Sequence, residues 1–183
     1  MGYWNTRGLR GSTLEELVNA TNQAYMEKNL AVIQKVPTPI TPIKLDKNSG
    51  TIVLAYFEQK STVDYLGCIQ GIPVCFDAKE TTRTSLPLQN IHAHQVNFMA
   101  SFQKQKGVSF LIVSFQKYNE LYFLPFDVLN KYYEESLKGG RKSIPYIAFE
   151  EKYLIRSKDG FLVHYLEPLN TYLISQSSEE AEQ

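Results

Sequence analysis

Residues 61–81 read STVDYLGCIQGIPVCFDAKET: two short apolar runs on either side of Gln70-Gly71, with Asp64 in the first and Asp77 and Lys79 in the second. Val, Ile, Tyr and Phe favour strands, and the intervening residue-Gly pair predicts a two-residue β-hairpin turn. Antiparallel pairing across such a turn keeps the sum of partner numbers constant, so Ile69 faces Ile72, Leu66 faces Cys75 and Asp64 faces Asp77. Directly opposed side chains lie about 4.5–5.5 Å apart at Cβ, and Lys79, two residues beyond Asp77, projects from the same face. Cys68 and Cys75 share that face nearer the turn and read as small packing residues. Two carboxylates at about 5 Å repel by roughly 3 kcal/mol at an effective dielectric of about 20. The residues alone leave two accounts of this charge open. One is a surface ion pair of Lys79 with either aspartate, worth about 0–1 kcal/mol. The other is a divalent cation held by the two carboxylates, with waters and a phosphate completing its octahedron, the donor set that hard Mg²⁺ takes.

Around this hairpin the chain of 183 residues is long enough for one domain with a sizeable core, and its 43% hydrophobic and 13% aromatic content argues against disorder. No apolar run approaches the roughly 20 residues that a membrane helix needs. The N-terminus, MGYWNTRGLRG, places Gly, Asn, Thr and Arg where a secretory signal has its apolar core, so a cytoplasmic location with no membrane partner is expected. Two cysteines and three histidines form no zinc spacing, and no Ser-His-Asp or Cys-His arrangement suggests nucleophilic catalysis. His92 and His94, two apart in a helical segment, are expected to point away from one another as surface or cap residues. Net charge is zero, with a basic surplus before residue 111 and an acidic one after it. The acidic end at 176–183 reads as a disordered solubilising tail.

N-terminal to the hairpin, GSTLEELVNATNQAYMEKN predicts a helix opened by a capping box of Thr13 and Glu16. LAVIQKV follows as a strand. Pro37, Pro39 and Pro42 then exclude a central strand, so residues 36–60 are expected to form a projection of two extended arms joined by a polar turn at 46–50. Beyond the hairpin, a helix is expected from about Gln89 to Lys106, then VSFLIVSFQ as a strand buried on both faces and ELYFLPF as its hairpin partner. PFDVLNKYYEESLKGG predicts another helix, and a short one from Pro168 ends the chain. The order implies an α/β fold, a mixed sheet with helices packed on it.

The spacing D64-(12 residues)-D77-A78-K79 resembles the PD-(D/E)xK nuclease signature, and the wider text resembles the RecU family of Holliday junction resolvases. GSTLEELVNATNQAY resembles that family's first helix, KVPTPI and AYFEQKSTVDY the arms of its stalk, FDAKETTRTSLPLQNIHAHQ its catalytic strand and following helix, and GGRKSIP a later block. The resemblance implies one nuclease domain over residues 1–183, restriction-endonuclease-like, with a mixed β-sheet flanked by helices and a protruding β-stalk. It implies a Mg²⁺-dependent (or Mn²⁺-dependent) endonuclease of recombination and repair, a homodimer that nicks four-way junctions symmetrically and leaves 5′-phosphates, working beside a RecA-type recombinase and a branch-migration helicase. Carried over by position, Asp64 and Asp77 would hold the metal, Lys79 would be the catalytic lysine, and Glu15 an acid reaching the same site. Arg7 and Arg10, in a basic N-terminal arm at 1–12, with Lys35, Tyr56 and Lys60 on the arms of the projection, would contact DNA. Arg83, Arg141 and Lys142 would position phosphates. Two positions depart from the family pattern: Asp77 where Glu is usual, and Val63 where Thr is expected beside the catalytic Asp.

Overall fold

The computed structural model describes residues 13–37, 39–57 and 62–181. Arg7, Arg10 and Lys60 lie outside these residues. The elements in order are α1 (Leu14–Glu27), β1 (Ala31–Lys35), β2 (Ile40–Leu45), β3 (Ile52–Phe57), β4 (Tyr65–Ile69), β5 (Ile72–Thr81) and β6 (Ser85–Pro87). They continue with α2 (Ala93–Lys104), β7 (Val108–Phe115), β8 (Glu120–Pro125), α3 (Phe126–Leu137), β9 (Ser143–Pro145), β10 (Leu154–Ile155) and α4 (Leu166–Ala181).

A six-stranded mixed sheet in the order β1-β4-β5-β7-β8-β10 forms the centre. Only β5 and β7 run parallel, and the connection between them carries α2, the crossover that a parallel pair requires. Alternation along β7 divides the core. Phe110 and Ile112 face α1 and α4, while Leu111, Val113 and Phe115 face α2 and α3, so every residue but Ser114 in this strand is buried. On the α1/α4 face an aromatic ladder of Tyr65, Phe76, Phe110 and Phe123 crosses four adjacent strands with successive ring centroids 4.7, 4.6 and 4.5 Å apart. Such cross-strand aromatic pairs fix register as well as burying area.

The predicted hairpin is present. Gln70 and Gly71 both take positive φ (49° and 88°), the requirement of a two-residue turn whose twist matches the strands, and the ladder runs from Ile69↔Ile72 to Tyr65↔Phe76. The capping box of α1 is also present: Thr13 Oγ1 accepts from Glu16 N, and Thr13 N donates to a Glu16 carboxylate oxygen at 2.7 Å. Among the described residues β2 and β3 pair only with each other, as a separate two-stranded sheet in which Ile43, Leu45, Ile52, Val53, Leu54, Tyr56 and Phe57 are exposed. Pairing is irregular around Pro42 and Lys44, as expected where a proline removes a ladder donor.

Four expectations are corrected. The segment after β6 is not one helix from Gln89: Leu88–Asn90 form a single 3-10 turn, the chain re-extends at Ile91 and His92, and α2 starts at Ala93. Burial of Leu88 and Ile91 between two turns dictates this break. Because His92 is therefore an extended N-cap residue, helical spacing does not apply, and its ring stacks on that of His94 with centroids 5.4 Å apart. Of the two cysteines only Cys75 is a packing residue; Cys68 is exposed near the turn, where its cross-strand partner Pro73 is exposed as well. The terminal helix is long rather than short. It begins two residues before Pro168 and runs to Ala181, so most of the acidic end at 176–183, expected to be disordered, is helical; the helix is anchored by buried Leu169 and by Tyr172, whose hydroxyl donates to Asp127 at 2.7 Å.

Gly67 joins β1 to this frame. A Cβ added there would lie 2.1 Å from the Val32 carbonyl oxygen and 2.6 Å from Ile33 Cδ1. Gly67→Ala is therefore expected to push β1 off β4 and lower stability by about 1–3 kcal/mol, read as a reduced urea midpoint at constant m-value. An unchanged midpoint would show that β1 is not seated on Gly67.

Candidate metal and nuclease site

Asp64 stands one residue before β4 and Asp77 lies mid-way along β5, so the ladder that ends at Tyr65↔Phe76 sets them opposite one another at the open end of the hairpin. Asp77 is fully buried. Burying a carboxylate requires donors, and three converge on it. Oδ1 accepts from the Asp64 backbone N–H at 2.6 Å, Oδ2 accepts from Lys79 Nζ at 2.6 Å, and Gln95 Nε2 donates to the same Oδ2. The Asp64 carboxylate is half-buried and accepts from Ala78 N at 3.4 Å. Burial, and secondarily the negative charge of Asp77, push its pKa up to about 6, with Lys79 offsetting part of the effect. Asp64 is also tied to the base of the projection, because its carbonyl oxygen accepts from Val36 N at 2.8 Å.

Glu15 occupies the first turn of α1 at the rim. Its side chain is ion-paired with Lys35 of β1, both about half exposed, and its backbone carbonyl accepts from the Tyr65 hydroxyl at 3.4 Å. The Tyr65 hydroxyl, raised above its ordinary value by burial and then by the charges of Glu15, Asp64 and Asp77, has all three carboxylates in its neighbourhood. A cleft of about 350 Å³ lined by Thr13, Leu14, Glu15, Ala78 and Glu80 lies between the start of α1 and β5, on the face opposite Asp77.

The structure thus brings Asp64, Asp77 and Lys79 into contact, while Glu15 pairs with Lys35 at the start of α1. The other candidates lie apart. Tyr56 is exposed on β3, opposite Thr41. Arg83 follows β5 in a loop, its backbone N–H held by Thr81 Oγ1 at 3.1 Å, and lines a polar cleft of about 220 Å³ with Thr82, Gln89, Asn90 and Gln116. Arg141 and Lys142 are exposed just before β9, and the Lys142 carbonyl accepts from Leu88 N. Since β6 and β9 pair antiparallel, Arg83 and the Arg141-Lys142 pair flank opposite ends of that small sheet.

Sequence reasoning missed Gln95, which it placed only among the residues at helical spacing. The signal was there: an amide on the buried face of a helix needs a polar partner, and its Oε1 accepts from His92 N at 3.1 Å while its Nε2 serves Asp77. Among the described residues no group of three or more His, Cys, Asp or Glu side chains is arranged to hold a metal ion. None of the described helices is long and apolar enough to cross a membrane.

The sequence model of the RecU family, Recombination protein U, matches residues 9–171. The chain belongs to the RecU family. A protein of Ligilactobacillus salivarius called Holliday junction resolvase RecU is 47% identical over 148 residues, covering 79% of this chain and 69% of its own. One of the same name from Pediococcus pentosaceus is 42% identical over 171 residues, covering 91% and 82%. Archaeoglobus fulgidus Hjc, an archaeal Holliday junction resolvase, aligns over 60% of this chain and 77% of its own at 10% identity, with a TM-score of 0.36, too slight a likeness to bear weight. The RecU match spans α1, the β4–β5 hairpin, α2 and the start of α4, so all the residues that meet at Asp77 fall within it.

The raised pKa of Asp64 has a consequence for stability. Between about pH 4, the ordinary aspartate value, and about 6, the folded protein holds more protons here than the unfolded chain, so stability without metal falls as pH rises through this window. Melting temperature in chelator should drop from pH 4 to 7 more steeply for the wild type than for Asp64→Asn. Parallel profiles would show that Asp64 ionises as if in water.

Proposed function

We propose that this chain is a Holliday junction resolvase, a structure-selective endonuclease that nicks four-way DNA junctions in recombination and repair. The observation that carries the reading is the contact of two carboxylates, one of them fully buried, with a lysine at the open end of a rigid hairpin. Membership of the RecU family and the names of its relatives support the choice of substrate.

The donor set fits a hard divalent cation. Asp64 and Asp77 offer two adjacent carboxylates whose mutual repulsion a cation relieves, and Mg²⁺ is characteristically held by one or two carboxylates with waters and substrate phosphate. When bound, the cation supplies Lewis-acid stabilisation of the phosphodiester and lowers the pKa of a water. Asp64 and Asp77 would hold it. Lys79, whose ammonium sits on Asp77 Oδ2, is placed to transfer its donors to a phosphate oxygen as negative charge develops there. Gln95 keeps one donor on Asp77 throughout, so that buried carboxylate is not left without a partner when Lys79 turns to substrate. Glu15 at the rim orients water, and the product ends are 5′-phosphates.

The protein acts as a homodimer, since two identical sites suit a junction with two-fold symmetry. Its exposed apolar hairpin enters the junction centre, where Tyr56 stacks on bases. Arg83, Arg141 and Lys142 hold phosphates along the duplex arms, with Arg7, Arg10, Lys35 and Lys60 contributing further contacts. It works in the cytoplasm beside a RecA-type recombinase and a branch-migration helicase.

A labelled four-way junction in Mg²⁺ should be nicked in pairs near the crossover while a linear duplex of the same sequence is left intact. Asp77→Asn should lose at least about a hundredfold in rate. Junction binding without nicks in either Mg²⁺ or Mn²⁺ would overturn the reading and leave a binding module with a disabled site.

A further inference from the structure

Glu80 follows Lys79 but projects from the opposite face of β5, the face on which Phe76 and Ala78 meet α1. One of its carboxylate oxygens accepts from the backbone N–H of Leu14 at 2.6 Å, and the other accepts from Gln116 Nε2 at 2.6 Å. Leu14 is the first residue of α1, so its N–H has no acceptor within the helix. The capping box satisfies only the N–H groups of Thr13 and Glu16. Glu80 supplies the acceptor for Leu14 from 66 positions away, and as an anion at a helix N-terminus it also meets the positive end of the helix dipole.

The residue after Leu14 is Glu15. We infer that Glu80 is a positioning residue for the cation site: by clamping the first turn of α1 to the end of β5, it sets Glu15 at the rim beside Asp64 and Asp77. Three features support this role. Gln116, itself fixed by its backbone N–H to the Thr81 carbonyl at 3.0 Å, holds the second carboxylate oxygen and removes the freedom of Glu80 to swing away. Glu80, Leu14 and Glu15 line one cleft with Ala78, on the α1 face of β5, so the helix start and the end of the strand that carries Asp77 and Lys79 form one wall. The Tyr65 hydroxyl, on β4, donates to Asn19 Oδ1 of α1 at 3.0 Å and lies 3.4 Å from the Glu15 carbonyl, so α1 is held from both strands of the hairpin.

This inference rests on the resolvase reading, and two readouts beyond cleavage test it: Mn²⁺ affinity by electron paramagnetic resonance, and junction binding in chelator. Glu80→Ala should weaken Mn²⁺ binding and raise the half-saturating Mg²⁺ for nicking by about tenfold, the scale of a lost outer partner of a metal site. Junction binding in chelator should stay within about twofold. Glu80→Asp, one methylene too short to reach Leu14, should behave like Glu80→Ala, whereas Glu80→Gln keeps reach and one acceptor and should fall between Glu80→Ala and the wild type. If Glu80→Ala does not fold, the Asp and Gln pair decides the matter. In a Glu15→Gln background Glu80→Ala should add less than about twofold.

Equal loss in both backgrounds would reduce Glu80 to a general stabiliser and overturn the inference. So would wild-type Mn²⁺ affinity in Glu80→Ala, or damage in Glu80→Gln but not Glu80→Asp. A wild type that neither binds Mn²⁺ nor nicks junctions would instead overturn the resolvase reading, and this inference with it.

Discussion

The opposition of Asp64 and Asp77 is the constraint on which the rest of the site depends. It follows from a two-residue turn: with Gln70 and Gly71 both at positive φ, the register of β4 on β5 has no freedom, and a slip of one residue would turn Asp77 to the other face of the sheet. The aromatic ladder through Tyr65 and Phe76 fixes the same register from beneath. Two like charges are thereby held together, and the protein makes the arrangement tolerable by giving Asp77 three donors and leaving Asp64 partly neutral near pH 6. A site that is electrostatically unfavourable without a cation gains affinity for one.

The position of this hairpin in the fold explains its use. β5 is central, parallel to β7 and covered on one face by α1 and on the other by α2, so its carboxylate, lysine and glutamate are held by rigid neighbours. α2 contributes Gln95 to Asp77 from its N-terminal end, and the first turn of α1 carries Glu15, paired with Lys35. The bond from Val36 N to the Asp64 carbonyl ties the chain that leads toward the β2–β3 projection to the residue that opens the site.

Much of this was legible in the sequence because it is local. The capping box of Thr13 and Glu16, the Gln-Gly turn, the continuous apolar run of β7 and the proline-broken arms each carry their own signal within a few residues. What was not legible depends on partners far along the chain. The start of α2 is set by burial of Leu88 and Ile91, and the length of α4 by Leu169 and Tyr172. Gln95 and Glu80 look like ordinary polar residues until the fold brings them to Asp77 and Leu14. The Asp64–Asp77–Lys79 cluster was readable from strand arithmetic, but its chemical meaning came from resemblance to a family, since the same spacing also describes a surface ion pair.

The most direct test of the central claim is the anomalous scattering of crystals grown in Mn²⁺. The account predicts a strong peak between the Asp64 and Asp77 carboxylates, with the Lys79 ammonium displaced from Asp77 Oδ2 and Gln95 still on it. A structure with no peak there and Lys79 still bound to Asp77, at Mn²⁺ concentrations that saturate the protein in solution, would show that the paired aspartates do not form the metal site.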